Sequence, residues 1–454
     1  MRNLLRSRRG SAAFATVIAL VPLVGAVALG GEAGSWYVTR LHAQNAADAA
    51  AYAGALRLAC TIAGATCDTS VDYQAKQFAA QNAFCNLGDT AYPGTNCATS
   101  LPSRISRTVQ IDIGNYNADT FTAAGNGNAV RARVSQQQPA YLAAVLGLTT
   151  VNIPAQAIAL VEKPSKVCGL ALGPDPNGGG ALKLGGNVSN NGSGCPLASD
   201  ASVQFASTPS FNGSGWAVFG ATGCSPASTC ASPGVTHNYF MPPALDPLQG
   251  LNTASFNTRT GNTQSNATKV TCPATNPLTG LPYPNGSKCY DLPPNDNGGA
   301  YNGNFSWSGQ DYVTFTAPGT YFFYNASVNI TGATVTGVGV NIVLLGNSSL
   351  TINGGNINLS ALENNTTYPA LNGVLIDDQT SANVNIGGNG VIKLAGAMYF
   401  PKADVSFGGT VQPNNTTCSQ VIAKTLTMTG SAYLSTDGCV PATIAYTQIV
   451  ALVQ

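Results

Sequence analysis

Charged side chains are scarce in this chain, which has 20 Lys and Arg and 19 Asp and Glu among 454 residues. They make up 9% of the sequence, against about 25% in an average soluble protein. A net charge of +1 provides no basic stripe for nucleic acid, so that class of partner is excluded. Disorder is excluded too, because 44% of the residues are apolar and can form cores. The surface must therefore be solvated mainly by amides and hydroxyls.

General-base chemistry is also poorly represented. There are two histidines, His42 and His237, and the sequence contains no G-x-S-x-G, P-loop or H-E-x-x-H motif. Glycoside hydrolysis needs a pair of carboxylates, and Asp377 and Asp378 are the one adjacent acidic pair. Neighbouring residues of a strand point to opposite faces, so these two are not expected to share a cleft. We therefore predict no enzyme, no catalytic residue, no cofactor and no metal.

Cysteine is absent before position 60, and twelve cysteines follow. An even number in a weakly charged, Asn- and Gly-rich chain indicates an oxidising compartment. Zinc is the competing interpretation at Cys224, Cys230 and His237, but the sequence has no paired C-x-x-C knuckles. The simplest prediction is six disulfides between sequential neighbours: Cys60/Cys67, Cys85/Cys97, Cys168/Cys195, Cys224/Cys230, Cys272/Cys289 and Cys418/Cys439.

The N-terminus carries an asymmetric charge pattern around an apolar stretch. Residues 11–31 contain no charge, and about 20 apolar residues suffice to cross a bilayer as a helix. Glu32 follows this stretch, and four arginines precede it in the basic segment 1–10: Arg2, Arg6, Arg8 and Arg9. This asymmetry predicts one transmembrane helix with a cytoplasmic N-terminus. The alternative is a cleaved secretory signal, with Ala26-Val27-Ala28 as the processing site.

Helical sequence continues beyond the apolar span. An Ala-rich pattern extends to residue 59, so one helix from residue 11 to residue 59 would be about 70 Å long. Trp36 and Tyr37 stand where an interfacial aromatic belt is expected. Pro22 would kink this helix rather than end it. The pattern is typical of the long first helix of a pilin.

The same region resembles the N-terminus of TadE/TadG-like proteins of the tight-adherence (Flp) pilus assembly system. The resemblance consists of a basic pair with glycine, an apolar span containing proline, an acidic residue, an aromatic pair and an Ala-rich motif. That motif comprises Gln44, Asn45, Ala46, Ala47, Asp48, Ala49 and Ala50. One difference is Ala15, where prepilin processing after Gly10 would favour glutamate, and it favours an uncut anchor. The resemblance implies a bacterial inner-membrane protein with pilus-assembly or pilin-like partners.

Residues 32–163 are predicted to continue the long helix and then form a small α+β unit. A helix is expected over residues 71–84, strands over 108–113 and 129–134, a short helix over 141–146 and a last strand over 151–161. This order suits a compact pilin-like head that grows from the long helix, and it is similar to the corresponding part of TadG-like proteins.

Residues 164–454 show short β runs separated by Gly, Asn and Ser, with a repeat of about 23 residues. This spacing predicts a right-handed parallel β-helix, in which Ile342, Leu375, Met398 and Ile422 occupy equivalent rungs. A β-sandwich is the alternative. Residues 224–300 would form an excursion that carries two cysteine pairs. The block also resembles the C-terminal part of one TadG-like class. A second class of that family has a von Willebrand A domain, whose D-x-S-x-S motif is absent here.

Together these patterns predict a membrane-anchored structural or assembly component of a tight-adherence pilus system, with its body periplasmic or extracellular. The resemblance carries the pilus assignment, and the charge pattern carries the anchor. The first alternative is a cell-surface adhesin or carbohydrate-binding β-helix protein, whose partner would be a surface or polysaccharide. The second alternative is a β-helix enzyme that acts on polysaccharide.

Overall fold

The computed structural model divides the chain into two compact units. It describes residues 8–62, 69–89, 91–162, 165–173, 180–190, 194–231, 233–260, 262–264, 267–275, 280–296, 298–412 and 418–453. The first unit contains residues 1–162 together with residues 450–454, and the second contains residues 163–449. Each unit has its own hydrophobic core.

The first unit begins with one long helix, α1, Arg8–Ile62. It runs through Pro22 without interruption, as predicted, and residues beyond Leu41 form much of the core of the unit. A second helix, α2, Val71–Gln81, is capped by Ser70, whose hydroxyl accepts a hydrogen bond from the Tyr73 N–H. The helix ends three residues before the predicted position because Ala83 turns the chain at a φ of 66°.

An antiparallel sheet completes the first unit. Its strands are β1 Ser106–Asn117, β2 Thr120–Ala123, β3 Ala129–Pro139 and β4 Thr150–Val161. The strands β1, β3 and β4 and a short 3-10 turn at Ala143–Leu146 lie where the sequence predicts them. Strand β2 was not predicted, because its four mostly exposed residues show no burial pattern.

The second unit is a β-solenoid of about 10 turns, which confirms the predicted solenoid over the sandwich. Its first strands are β5 Ser165–Val167, β6 Gly169–Ala171, β7 Leu182–Leu184, β8 Asn187–Ser189, β9 Leu197–Ser199, β10 Ser202–Phe205, β11 Ser210–Asn212, β12 Ala217–Gly220, β13 Gly223–Ser225 and β14 Thr236–Tyr239. Helix α3, Ala227–Cys230, lies between β13 and β14. Four further 3-10 turns occur at Gln249–Thr253, Ser255–Thr258, Pro369–Leu371 and Pro441–Thr443.

The remaining strands lie further along the chain, and the longest of them, β25, has 24 residues. They are β15 Asn262–Gln264, β16 Thr268–Val270, β17 Lys288–Leu292, β18 Ala300–Ser308, β19 Asp311–Phe315, β20 Gly319–Thr331, β21 Thr334–Val338, β22 Val340–Leu345, β23 Ser349–Ser360, β24 Val374–Asp378, β25 Val384–Phe407, β26 Ser419–Met428, β27 Ser431–Tyr433 and β28 Ala445–Thr447. The last strand of the chain is β29, Val450–Leu452. Pairing between successive turns is parallel, as a solenoid requires.

Turns of the solenoid do not stack in simple chain order. One ladder runs β14–β12–β9–β6–β26–β25–β24–β22–β20. The late strand β26 therefore pairs with the early strand β6, and Ser189 donates a hydrogen bond to the Ala432 carbonyl across 243 residues of sequence. The chain consequently enters and leaves the solenoid in the middle of the stack.

In the chain, the solenoid is an insertion within the first unit, because the residues that follow it return to the first sheet. Strand β29 pairs antiparallel with β4, so the first sheet has the order β2-β1-β3-β4-β29. The sequence analysis assigned residues 450–454 to the solenoid, whereas the structure groups them with residues 1–162. Three residues, Val-Ala-Leu, are too short to show a period, so nothing local distinguished this strand from another rung.

The predicted column of equivalent rung residues is displaced by one position at two places. Ile342 pairs with Ile376, Ile376 with Met398, and Met398 with Val421. Ile376 and Val421 therefore take the places predicted for Leu375 and Ile422. In the pairing of β24 with β25, a register shift between Val374 and Ile376 places Ile376 rather than Leu375 opposite Met398.

Residues 241–259, here called the cover segment, lie over the outer face of this ladder. Leu248, Leu251 and Phe256 are buried in one cluster with outward-facing strand residues such as Tyr399 and Ile422. The cover segment is part of the predicted excursion 224–300. That excursion differs from the prediction in containing rungs of its own, because β14 and β17 pair parallel with β12 and β19.

Five of the six predicted cysteine pairs are disulfides: Cys85–Cys97, Cys168–Cys195, Cys224–Cys230, Cys272–Cys289 and Cys418–Cys439. The sixth pair involves Cys67, which lies outside the described residues. Because Cys224 and Cys230 are joined to each other, they do not form the alternative zinc site with His237.

Peptide mapping under non-reducing conditions is expected to recover these five linkages from membrane-extracted protein. Each closes a short loop, and each contributes roughly 2–4 kcal/mol to the free energy of unfolding in the chain-entropy description. Stoichiometric zinc with free thiols, or a majority of long-range cysteine pairs, would contradict this result.

Candidate functional site: the anchor helix and its head

The first part of α1 presents apolar side chains outward. Ile18, Leu23 and Val27 are exposed in the described chain, at 57%, 65% and 72%. The helix contains a segment long and apolar enough to cross a membrane. Exposed apolar side chains on all sides of a helix are unfavourable in water and favourable in lipid. The composition of this segment therefore suits a membrane span.

The second part of α1 is buried by its small residues. Ala46, Ala47, Ala50 and Ala51 are fully buried against the head of the first unit, which consists of α2 and the sheet. Methyl side chains let the helix backbone approach its neighbours closely. The Ala-rich motif is thus the contact face of the helix, whereas Asn45 within it is exposed.

Two residues of the motif also connect the helix to the sheet by hydrogen bonds. Gln44 Nε2 donates to Asp48 Oδ1 at 2.8 Å and to the Gln156 carbonyl of β4 at 3.0 Å. Asp48 lies one helical turn after Gln44, so it holds the amide in place for the contact with the strand. These contacts explain why a polar pair occurs in an otherwise small, apolar surface.

Gly54 marks the closest approach in this head. A Cβ atom there would lie 3.0 Å from Val130 Cγ1 of β3 and 3.1 Å from the Ala75 Cβ of α2. Three elements therefore meet at one position on α1 where any larger residue would push them apart.

Glu32 has a structural role that the sequence did not reveal. Its carboxylate accepts hydrogen bonds from three successive backbone N–H groups: Tyr141 at 2.6 Å, Leu142 at 3.1 Å and Ala143 at 2.9 Å. These groups begin the turn between β3 and β4. Glu32 therefore ties that turn to α1 one residue after the charge-free stretch, in addition to its predicted role in topology.

Two of the four N-terminal arginines that are predicted to set the topology lie at the beginning of the helix. Arg8 and Arg9 are the first residues of α1, whereas Arg2 and Arg6 lie outside the described residues. Their role in topology stays a prediction.

The acidic pair of the solenoid is buried rather than arranged around a cleft. Asp377 pairs in register with Val343 and Tyr399, which lie under the cover segment, and Asp378 pairs with Leu344 of the interior core. Both are 0% exposed, on opposite faces of the strand. Within the described part of the chain, no group of three His, Cys, Asp or Glu side chains could hold a metal ion.

Burial makes several carboxyls of the solenoid weaker acids than an exposed aspartate. It raises the pKa of Asp377 to about 7 and that of Asp200 to about 7, because the charged form is poorly solvated there.

Asp246 of the cover segment, whose pKa burial also raises, accepts a hydrogen bond from the Tyr399 hydroxyl at 2.7 Å. Asn252 donates to the same hydroxyl at 3.0 Å. These contacts attach the cover segment to the ladder.

Comparison with protein families agrees with the geometry of the first unit. Residues 10–57 match a family model described as Flp pilus-assembly TadE/G-like. Residues 53–159 match a second model, described as Tad-like Flp pilus-assembly. Residues 10–159 are therefore similar to Tad-type Flp pilus-assembly proteins. No curated protein and no solved structure matches the chain.

The two family matches meet near the end of α1, and the first unit is called the Tad unit below because of them. The first covers the span of α1 and its small-residue face, and the second covers the end of α1, α2 and the strands β1 to β4. The solenoid begins after both matches and is inserted before β29. Sequence reasoning found the motif of α1, but it missed the contact of Glu32 with the β3–β4 turn. That turn is uncharged, and it offers no basic side chain that could signal a contact with a carboxylate.

Proposed function

We propose that this chain is a membrane-anchored structural component of a Tad/Flp pilus system. Its N-terminus lies in the cytoplasm, the anchor is uncut, and the body lies on the outer side of the bacterial inner membrane. The observation that carries the proposal is the continuity of α1, whose apolar span and head-forming face belong to one helix. Such a helix transmits the position of the membrane directly to the head.

The mechanism is mechanical rather than chemical. The small-residue face of α1 holds the head rigidly on the anchor, and the inserted solenoid presents a weakly charged surface to other envelope components. The carboxyls Asp377 and Asp378 are both fully buried within the solenoid and line no cleft, so we assign them no role in catalysis. Partners are other pilus-assembly or pilin-like proteins.

A reporter that is active only in an oxidising compartment is expected to work when fused after Ala59. Replacing Arg2, Arg6, Arg8 and Arg9 by glutamate, in the same fusion, is expected to reduce that activity because it removes the positive-inside signal. Mass spectrometry of purified protein should find residues of the apolar span in the mature chain. A mature N-terminus at Leu29 would overturn the anchor, and a reporter that is inactive with the native arginines would overturn the topology.

The pilus assignment has a separate test. Crosslinking in membranes, followed by purification of the tagged chain, is expected to recover pilin-like or Tad-type proteins. A chain that crosslinks to no such protein, in cells that assemble pili normally without it, would refute the assignment.

A further inference from the structure

The β3–β4 turn exposes apolar side chains at one end of the Tad unit. Tyr141 is 78% exposed, Leu142 40% and Leu148 53%. In the same turn Ala140 and Ala143 are buried, at 4% and 3%, so the turn has an inner face against the head and an outer apolar face. No Asp, Glu, Lys or Arg occurs between residues 134 and 161. A charge-free turn with large exposed apolar residues is unusual on a water-facing surface.

Glu32 determines where this turn lies along the anchor helix. The three N–H donors to its carboxylate belong to residues 141–143, so the turn lies at the level of Glu32. Trp36 and Tyr37, the expected interfacial aromatics, follow four and five residues later on α1. At 1.5 Å per residue they lie about 6 Å further from the apolar span than Glu32 does. The turn is therefore on the membrane side of the aromatic belt.

We propose that residues 140–148 form a second membrane contact, a loop that lies in the headgroup–acyl boundary of the bilayer beside the anchor helix. This inference rests on the proposed anchor, and the molecules that the loop contacts are lipids. Tyr141 is suited to this depth because its ring is apolar and its hydroxyl is polar. The carboxylate of Glu32 is compatible with the same depth because three N–H groups satisfy it.

Two contacts with one bilayer restrict the rotation and tilt of the protein more than a single helix does. A lone span is free to rotate about its axis and to tilt, whereas a span with an attached interfacial loop has a defined side facing the membrane surface. The loop would thereby set the orientation of the Tad head relative to the membrane. The sheet carries its connections to the solenoid at β4 and β29, and Val161 pairs there with Val450.

The first test measures the depth of single probes in lipid. The full chain is labelled with an environment-sensitive fluorophore at Tyr141→Cys or Leu148→Cys and reconstituted in phosphatidylethanolamine/phosphatidylglycerol vesicles. Val27→Cys, within the span, and Thr120→Cys, exposed in the β1–β2 hairpin, are the controls. Position 120 lies at the end of the sheet opposite the β3–β4 turn. It is about seven strand residues, or roughly 23 Å, further from that turn than the Gln44–Gln156 contact is. Resistance of the head to limited proteolysis, equal to that of the wild type, shows that each variant is folded.

Spin-labelled lipids with a shallow nitroxide are expected to quench probes 141 and 148 at least threefold more than probe 120. Probe 27 should be quenched more by a deep nitroxide. Quenching of probe 27 together with water-like behaviour of probes 141 and 148 would overturn the loop and leave the anchor standing. Absence of quenching at position 27 would overturn both.

The second test uses the unmodified chain, so it does not depend on how a variant folds. A lipid-soluble carbene reagent is photolysed in membranes that contain the protein, and adducts are located by peptide mass spectrometry. Adducts on residues 140–148 as well as on the span, and none on residues 117–123, are expected. Adducts on the span without any on residues 140–148 would overturn the proposal. Protection of the loop by a crosslinked protein would indicate a protein partner and would also overturn it.

Discussion

Replacing Ala50 by leucine is expected to destabilise the head of the first unit by about 1–3 kcal/mol, because it overpacks the interface between α1 and the head. Ala50 is fully buried in the cluster that joins α1 to the head. Three additional carbon atoms at this position would separate the helix from the elements that contact it. The nearby Gly54, with neighbours at 3.0 and 3.1 Å, shows how little space this interface leaves.

Asn45→Leu is the matched control, because Asn45 lies on the same helix but is exposed. The measurement is limited proteolysis of the membrane-bound chain, combined with thermal denaturation in detergent. Cleavage of the head at lower temperature in Ala50→Leu than in wild type or Asn45→Leu is the expected result. Equal resistance of the two variants would mean that the small-residue face does not hold the head.

The solenoid is expected to become less resistant to denaturant as the pH rises from about 4 to about 7. Burial raises the pKa of Asp200 and of Asp377 to about 7, whereas an aspartate in the unfolded chain titrates near 3.9. In this range the folded solenoid binds more protons than the unfolded chain, so the free energy of unfolding falls with increasing pH. The total change is on the order of a few kcal/mol, since one pKa unit corresponds to about 1.4 kcal/mol.

Asp377→Asn is expected to weaken this pH dependence and to raise the stability near pH 7.5. One carboxylate oxygen of Asp377 accepts from Gln379 at 2.6 Å, and the other has no partner in the described part of the chain. An amide therefore replaces a carboxyl that is costly to ionise. The control is Asp404→Asn, because the side chain of Asp404 is 42% exposed.

Urea unfolding followed by the fluorescence of Trp216 and Trp307, both buried in the solenoid core, measures the effect. A lower midpoint at pH 7.5 than at pH 5 is expected for wild type and Asp404→Asn, and a smaller difference for Asp377→Asn. If the urea midpoint changed by the same amount between pH 5 and pH 7.5 in Asp377→Asn and in wild type, Asp377 would not be a source of the pH dependence. Normal pilus-dependent attachment of cells that carry Asp377→Asn is expected as well, since we propose no chemical role for this residue.

Much of the local structure could be predicted because it depends on residues close together in the chain. The long helix follows from an uninterrupted apolar and Ala-rich run, and the five disulfides join cysteines that are neighbours in sequence. Glu32 was recognised as the first charge after the span. Its bonds to residues 141–143 were not predicted, because they cross 109 to 111 residues and involve backbone groups.

The sequence by itself determined a membrane-compatible helix with a small-residue face, an oxidised body and a repeated β texture. Each of these is a property of composition or of a short period. Tertiary structure decided the rest: the pairing of β26 with β6, the position of the cover segment, the one-residue register at Ile376 and the return of β29 to the Tad sheet. Parallel ladders are built from similar Val- and Ile-rich strands, so each strand is locally compatible with several neighbours. Only the simultaneous burial of the interior column and of the outer face beneath the cover segment selects one order.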